Sequence, residues 1–116
     1  MTEWTVNQQT IGEKIVVFNP GKTLDNSNAH QMVEAITEAQ NRGYVFIIVD
    51  MSDLEFLASA GVGSILGTVE ISREAGGDII LCSIQDTVQH VLNVLDLTDY
   101  FTITKDPAEA IAKYGE

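Results

Sequence analysis

The feature that most constrains this chain is the run Tyr44-Val45-Phe46-Ile47-Ile48-Val49, closed by Asp50. It has none of the polar and apolar alternation of a strand with one wet face. It therefore reads as a central strand, Tyr44 to Asp50, buried on both faces. A short acidic loop follows, and then a helix whose first turn is Ser59-Ala60-Gly61-Val62. Ser59 stands where an N-cap belongs, being small, hydroxylated and directly before an apolar-periodic segment. A hydroxyl there faces the free N–H groups of the helix start. A phosphate on it would lie at the positive end of the helix dipole.

The other elements follow from the same patterns. Thr5-Val6-Asn7-Gln8-Gln9 alternates weakly, and Lys14-Ile15-Val16-Val17-Phe18 is rich in β-branched residues. The Gly12-Glu13 turn between them makes an antiparallel hairpin. Asn19-Pro20-Gly21 ends it. The next helix carries Ala29, Met32, Val33, Ile36 and Ala39 as one stripe, with Asp25 or Ser27 as its cap and Gly43 as its C′ residue. The helix after Ser59 puts Val62, Ile65, Leu66 and Val69 on one face and ends at Ala75-Gly76-Gly77. Asp78 to Cys82 is another buried strand. Asp86 is expected to cap a helix bearing Val88, Val91, Leu92 and Leu95. Tyr100 to Thr104 is a last short strand, and Asp106-Pro107 starts a final helix through Ala110, Ile111 and Tyr114. The order β-β-α-β-α-β-α-β-α predicts an α/β fold with a parallel core and right-handed crossovers.

Composition narrows the function. The chain of 116 residues carries 17 acids against 6 bases, a formal net charge of −11. Nucleic acid needs a basic footprint, and an anionic membrane surface repels such a chain, so neither is an expected partner. No run approaches a membrane-spanning length, so no membrane insertion is expected. The opening Met1-Thr2-Glu3-Trp4 has no secretory leader pattern, and Cys82 is the single cysteine. A reduced, cytoplasmic protein without an intramolecular disulfide is expected.

No catalytic constellation emerges, so the chain is not expected to be an enzyme. Gly61-Val62-Gly63-Ser64-Ile65-Leu66-Gly67 fails the dinucleotide spacing, because Leu66 stands where the third glycine is needed. No lysine follows Gly67, so it is not a phosphate loop either. His30 and His90 are isolated, and a metal site needs three or four convergent donors. Asp50, Asp53 and Glu55 lie together between strand and helix, where alternate acids are ordinarily just solvated. Cys82 sits in an apolar strand as a core residue. Neither a metal nor a cofactor is expected.

The segment Phe56-Leu57-Ala58-Ser59-Ala60-Gly61-Val62-Gly63-Ser64-Ile65-Leu66-Gly67 closely resembles the signature of STAS domains, in particular the bacterial anti-sigma factor antagonists. That signature is an Asp-Ser-Ser-Gly or Asp-Ser-Thr-Gly turn, or a Ser-Ser-Ala-Gly variant, followed by an apolar helix. Gly21 through Leu24-Asp25 and Asn28-Ala29 resembles the family's Gly-x-Leu-Asp loop. Gly76-Gly77-Asp78-Ile79-Ile80-Leu81, Val91 to Leu97 with Tyr100-Phe101, and Ala108-Glu109-Ala110-Ile111 are similar to later family segments in the same order.

The resemblance implies a single STAS domain over residues 1–116, a mixed sheet of about five strands with helices mainly on one face. It implies phosphorylation at Ser59 and a partner surface at Asp25, Asn26, Leu57, Ala58, Ala60, Gly61, Val62 and Gly63. The implied partners are an anti-sigma factor that is also a serine kinase of the histidine-kinase-like ATPase fold, and a metal-dependent serine phosphatase that resets the switch. Two positions and one loop depart from the pattern. Ala58 replaces an acid or serine, Ala60 replaces a hydroxyl residue, and the loop Gly21-Lys22-Thr23-Leu24-Asp25 is one residue longer. The competing expectations are an unmodified structural STAS subunit of a transporter or signalling assembly, and a small-ligand or nucleotide binder.

Overall fold

The computed structural model describes residues 7–115. Thr5 and Val6, expected to begin the first strand, and the Met1 to Trp4 opening lie outside the described residues. The elements run β1 (Asn7–Ile11), β2 (Ile15–Asn19), β3 (Thr23–Leu24), α1 (Ala29–Asn41), β4 (Phe46–Asp50), β5 (Phe56–Leu57), α2 (Ser59–Glu74), β6 (Asp78–Cys82), α3 (Asp86–Val94), β7 (Thr102–Thr104) and α4 (Pro107–Lys113). The main sheet has five strands in the order β1-β2-β4-β6-β7. β1 pairs antiparallel with β2, and every later neighbour pairs parallel.

The two-faced burial expected of the central strands holds. Val16, Phe18, Ile47, Val49, Ile79 and Leu81 face α1, α2 and α3, whose Met32, Ile36, Val62, Ile65, Val69, Val88 and Leu92 complete the larger core. The alternate residues Ile15, Ile48, Ile80 and Cys82 form a smaller core with Ala110 of α4. Tyr114 closes this second layer by donating its hydroxyl to the carbonyl of Ile47 at 2.8 Å. Burial pushes that phenol well above its ordinary range.

Polar contacts fix α2 at its sides and its far end. Gln40 of α1 donates to the Thr68 carbonyl and to Ser72 Oγ, both at 2.8 Å, making a buried polar seam between α1 and α2. Arg73 Nε donates to Asp78 Oδ1 at 2.9 Å, and its Nη2 donates to the carbonyl of Tyr100 at 2.9 Å. The hydrogen bond to Asp78 raises the Arg73 pKa further. Thr102 donates to the other Asp78 oxygen at 2.7 Å, so one carboxylate ties α2, β6 and β7 together.

Several boundaries differ from the expectation. Asn28 and Gln85 occupy the N-cap positions of α1 and α3, without a capping hydrogen bond from either side chain, in place of Asp25 or Ser27 and of Asp86. Asp25 is a turn residue instead, because its own carbonyl accepts from Asn28 and Ala29. Asp86 is already helical, so its carboxylate lies one position too far along to cap. β4 starts two residues late because the Tyr44 N–H is drawn back to the Ala39 carbonyl. Tyr100 and Phe101 belong to a turn on the Leu97 carbonyl, not to β7. Leu95 leaves the expected stripe because it is the C-cap, 42% exposed. The α4 start is as expected, with Asp106 accepting from the Glu109 N–H at 2.9 Å.

Cys82 supplies a test of this packing. Its burial, reinforced by the Asp50 carboxylate, pushes the thiol up to about 11. Folding thus favours the neutral thiol. The stability this contributes is full below the ordinary thiol range and is lost as pH rises toward 11. Native protein at about pH 8 is expected to leave Cys82 unlabelled by iodoacetamide, while urea-unfolded protein reacts fully. Rapid labelling of the native state would contradict the buried second layer.

Candidate functional site

The start of α2 is held against the loop that follows β2, at the same end of the parallel strands. β3 and β5 form a two-stranded parallel bridge, with Thr23 opposite Phe56 and Leu24 opposite Leu57. The Lys22 carbonyl accepts from the N–H groups of Glu55 and Phe56 at 2.8 and 3.1 Å. The Leu24 carbonyl accepts from the Ala58 N–H at 3.0 Å. Leu24, Leu54 and Leu57 anchor both segments in the core. Asn28, 1% exposed, staples the loop: its Oδ1 accepts from the Asp25 N–H and its Nδ2 donates to the Thr23 carbonyl, both at 2.9 Å. The Asp25 carboxylate accepts from Ser27 Oγ at 2.6 Å and from the Ser27 N–H at 2.9 Å. Those two bonds hold its pKa below the ordinary carboxylate value.

Ser59 is not the N-cap. The capping position is Ala58, with extended backbone (φ −93°, ψ 165°) and no side chain that can cap. The physical reason is the bridge: β5 carries the chain in extended form through Ala58, and the helix begins at the next residue. Ser59 is therefore the first helical residue, exposed, with its hydroxyl not engaged in capping. The Ala58 carbonyl already accepts from the N–H groups of Gly61 and Val62. The N–H groups of Ser59 and Ala60 are left without an intrahelical acceptor, as at any helix start. No acidic side chain sits in this first turn.

The residues expected at a partner surface divide into two sets. Asp25, Asn26, Ala58, Ala60 and Gly63 are exposed or half-buried around Ser59. Leu57, Gly61 and Val62 turn inward, which corrects the expectation that they touch a partner directly. Leu57 and Val62 belong to the main core because β5 and the first turn of α2 place them under the helix. Gly61 is a point of close approach: a Cβ there would lie 2.5 Å from the Leu24 carbonyl oxygen. A Cβ at Gly63 or Gly67 would meet nothing within 4 Å. The sequence pattern did not single out Phe56, 54% exposed three residues before Ser59, or the stapling role of Asn28. The alternation Phe56 out, Leu57 in was the available signal for the first.

The remaining candidates do not converge. Asp50 Oδ1 accepts from the Ser52 N–H and Asp53 Oδ2 from Asn19 Nδ2, each at 3.1 Å. His30 and His90 are both exposed, on different helices. Among the described residues, no three histidine, cysteine or acidic side chains are placed to hold a metal ion. Likewise no described helix is long and apolar enough to cross a membrane.

The sequence and the fold have known counterparts. The STAS domain model matches residues 7–110. A candidate anti-sigma factor antagonist of Thermotoga neapolitana is 30% identical over 102 residues, 87% of this chain and 90% of that protein. The crystal structure of a candidate anti-sigma factor antagonist from Thermotoga maritima superposes with a TM-score of 0.86 at 27% identity, over 93% of this chain and 92% of the other. The anti-sigma factor antagonist SpoIIAA in its unphosphorylated form matches with a TM-score of 0.82 at 24% identity, over 95% of this chain and 96% of that one.

The glycines of α2 test how the site is held. Gly61→Ala is expected to destabilise the domain by about 1–3 kcal/mol, because the Leu24 backbone must move. Gly67→Ala is expected to stabilise it by about 0.5–1 kcal/mol, because the new methyl meets open space in a helix interior. Urea unfolding measures both. Equal effects of the two substitutions would contradict the close contact at Gly61.

Proposed function

The chain belongs to the STAS domain family, and from that membership and the geometry at Ser59 we propose that it is an anti-sigma factor antagonist switched by phosphorylation. In this reading it is a cytoplasmic binding module and not an enzyme. The unphosphorylated form binds an anti-sigma factor that is also a serine kinase of the histidine-kinase-like ATPase fold, and so frees that factor's other target. The kinase transfers the γ-phosphoryl group of ATP to Ser59 Oγ, with loss of the hydroxyl proton and release of ADP. The phosphorylated product dissociates. A metal-dependent serine phosphatase hydrolyses the ester and resets the cycle.

The observation that carries this reading is the exposed Ser59 hydroxyl at the first helical position of a turn clamped from below. The clamp makes a rigid presenting surface. The free N–H groups of Ser59 and Ala60, with the helix dipole, can accept a phosphate without unfolding α2. The phosphate adds about −1.5 to −2 to the charge at this spot. Under a partner that charge is desolvated without a counter-ion, which weakens binding by orders of magnitude. Ala58 and Ala60 leave Ser59 as the only hydroxyl in the turn.

The test combines modification with capture. Protein from its native cells is expected to carry one phosphate by intact mass, and Ser59→Ala protein none. Ser59→Ala is expected to retain the kinase on capture, while Ser59→Asp weakens that complex at least about tenfold. A chain that no purified kinase of this class modifies, and that is captured instead with a membrane complex, would overturn the reading.

A further inference from the structure

The sheet face beneath α4 is only partly covered. α4 packs on β4, β6 and β7, and beyond the buried Ile15 the β1–β2 part of that face carries exposed or half-buried side chains. There Asn7, Gln8, Gln9, Val17, Asn19 and Asp50 line an open cavity of about 270 Å³. The register explains the grouping: Asn7 lies opposite Asn19 and Gln9 opposite Val17, so these four share one face. Asp50 lies two residues beyond Ile48, which belongs to the same side of the sheet. The cavity shares no residue with the Ser59 turn.

Its chemistry is one-sided. Val17 gives an apolar floor, the carboxamides of Asn7, Gln9 and Asn19 surround it on the same face, and the single charge in the wall is the Asp50 carboxylate. Asn19 is already committed, accepting from the Gly21 N–H at 2.9 Å and donating to Asp53 at 3.1 Å. That bond holds a second carboxylate beside the rim. Asp50 accepts from the Ser52 N–H but takes part in neither of the two ion pairs among the described residues. An anionic ligand would meet no lysine or arginine in the wall. A cation would meet an available carboxylate, amide oxygens and a chain of net charge −11 that concentrates cations around it. The volume falls below the roughly 300–1,000 Å³ of drug-sized ligand sites, so the occupant is about the size of one side chain.

We propose that this cavity binds a compact organic cation with N–H donors, a guanidinium or primary ammonium group. Asp50 is its counter-charge, and the carboxamide oxygens of the β1 strand are its acceptors. The group can arrive on a free small molecule or at the end of an arginine or lysine side chain of a protein partner.

The experiment is a titration of the full chain followed by the side-chain amide resonances of Asn7, Gln9 and Asn19 in NMR spectra. The probes are agmatine, the blocked peptide acetyl-Gly-Arg-Gly-amide, and the same peptide with neutral citrulline in place of arginine. Agmatine is expected to shift these resonances saturably. Asp50→Asn is expected to weaken binding about tenfold or more. Gln9→Ala, on an exposed strand that tolerates it, is expected to weaken binding less while leaving the rest of the spectrum unchanged. An arginine peptide that binds as well as agmatine assigns the site to a partner's side chain, and agmatine alone assigns it to a free molecule. The proposal is overturned if neither probe gives saturable shifts, if the citrulline peptide binds as well as the arginine peptide, or if neither variant weakens binding. None of these results bears on the Ser59 switch, since they concern residues outside that turn.

Discussion

The contact on which the rest of the site depends is that between Gly61 and the backbone of Leu24. A helix start packed this closely on an extended segment has few ways to move. The Leu24 carbonyl accepts from the Ala58 N–H, so the extended strand and the helix beginning after it are fixed by neighbouring bonds. The glycine makes the approach possible, Leu57 and Val62 lock it from the core, and Asn28 locks the loop on the other side. Ser59 is the residue left on top of this construction. A rigid support matters because a charge change is read cleanly only if the surface carrying it does not rearrange to hide it.

Much of this was legible in the chain. The run from Tyr44 to Asp50 and the run from Asp78 to Cys82 read as central strands because neither has a wet face, and the strands they form, β4 and β6, lie inside the sheet. Gly43 and Gly76 mark the ends of α1 and α2, each with positive φ. Asp106-Pro107 marks the start of α4. What could not be read depends on pairing between distant segments. β3 and β5 are two residues each and exist because they pair with one another across the chain. That same pairing moves the cap of α2 from Ser59 to Ala58, by keeping the backbone extended one residue longer. The Gln40 seam was invisible for a related reason. A glutamine on a helix reads as solvated until the opposite helix is found to offer Thr68 and Ser72.

The direction of side chains at the site follows the same logic. The family resemblance puts Leu57, Gly61 and Val62 with Ser59 on one surface. Packing splits them into a visible layer and a supporting layer. The visible layer is small and weakly featured: Ala58, Ser59, Ala60 and Gly63, flanked by the exposed ring of Phe56. Such a surface admits a partner closely, so a single added group there has a large effect. The acids spread over the rest of the chain give it a net charge of −11, a field that attracts basic surfaces and repels acidic ones.

The central claim is that modification at Ser59 changes the surface and leaves the fold alone. The most direct measurement is a comparison of backbone amide NMR spectra before and after phosphorylation of Ser59. Shifts are expected only for residues around 22–28 and 56–63, with the resonances of β2, β4 and β6 in place and the urea midpoint nearly unchanged. Shifts spread through α1, α3 and the sheet, or a collapse of the dispersed spectrum, would contradict it and make the switch a change of fold.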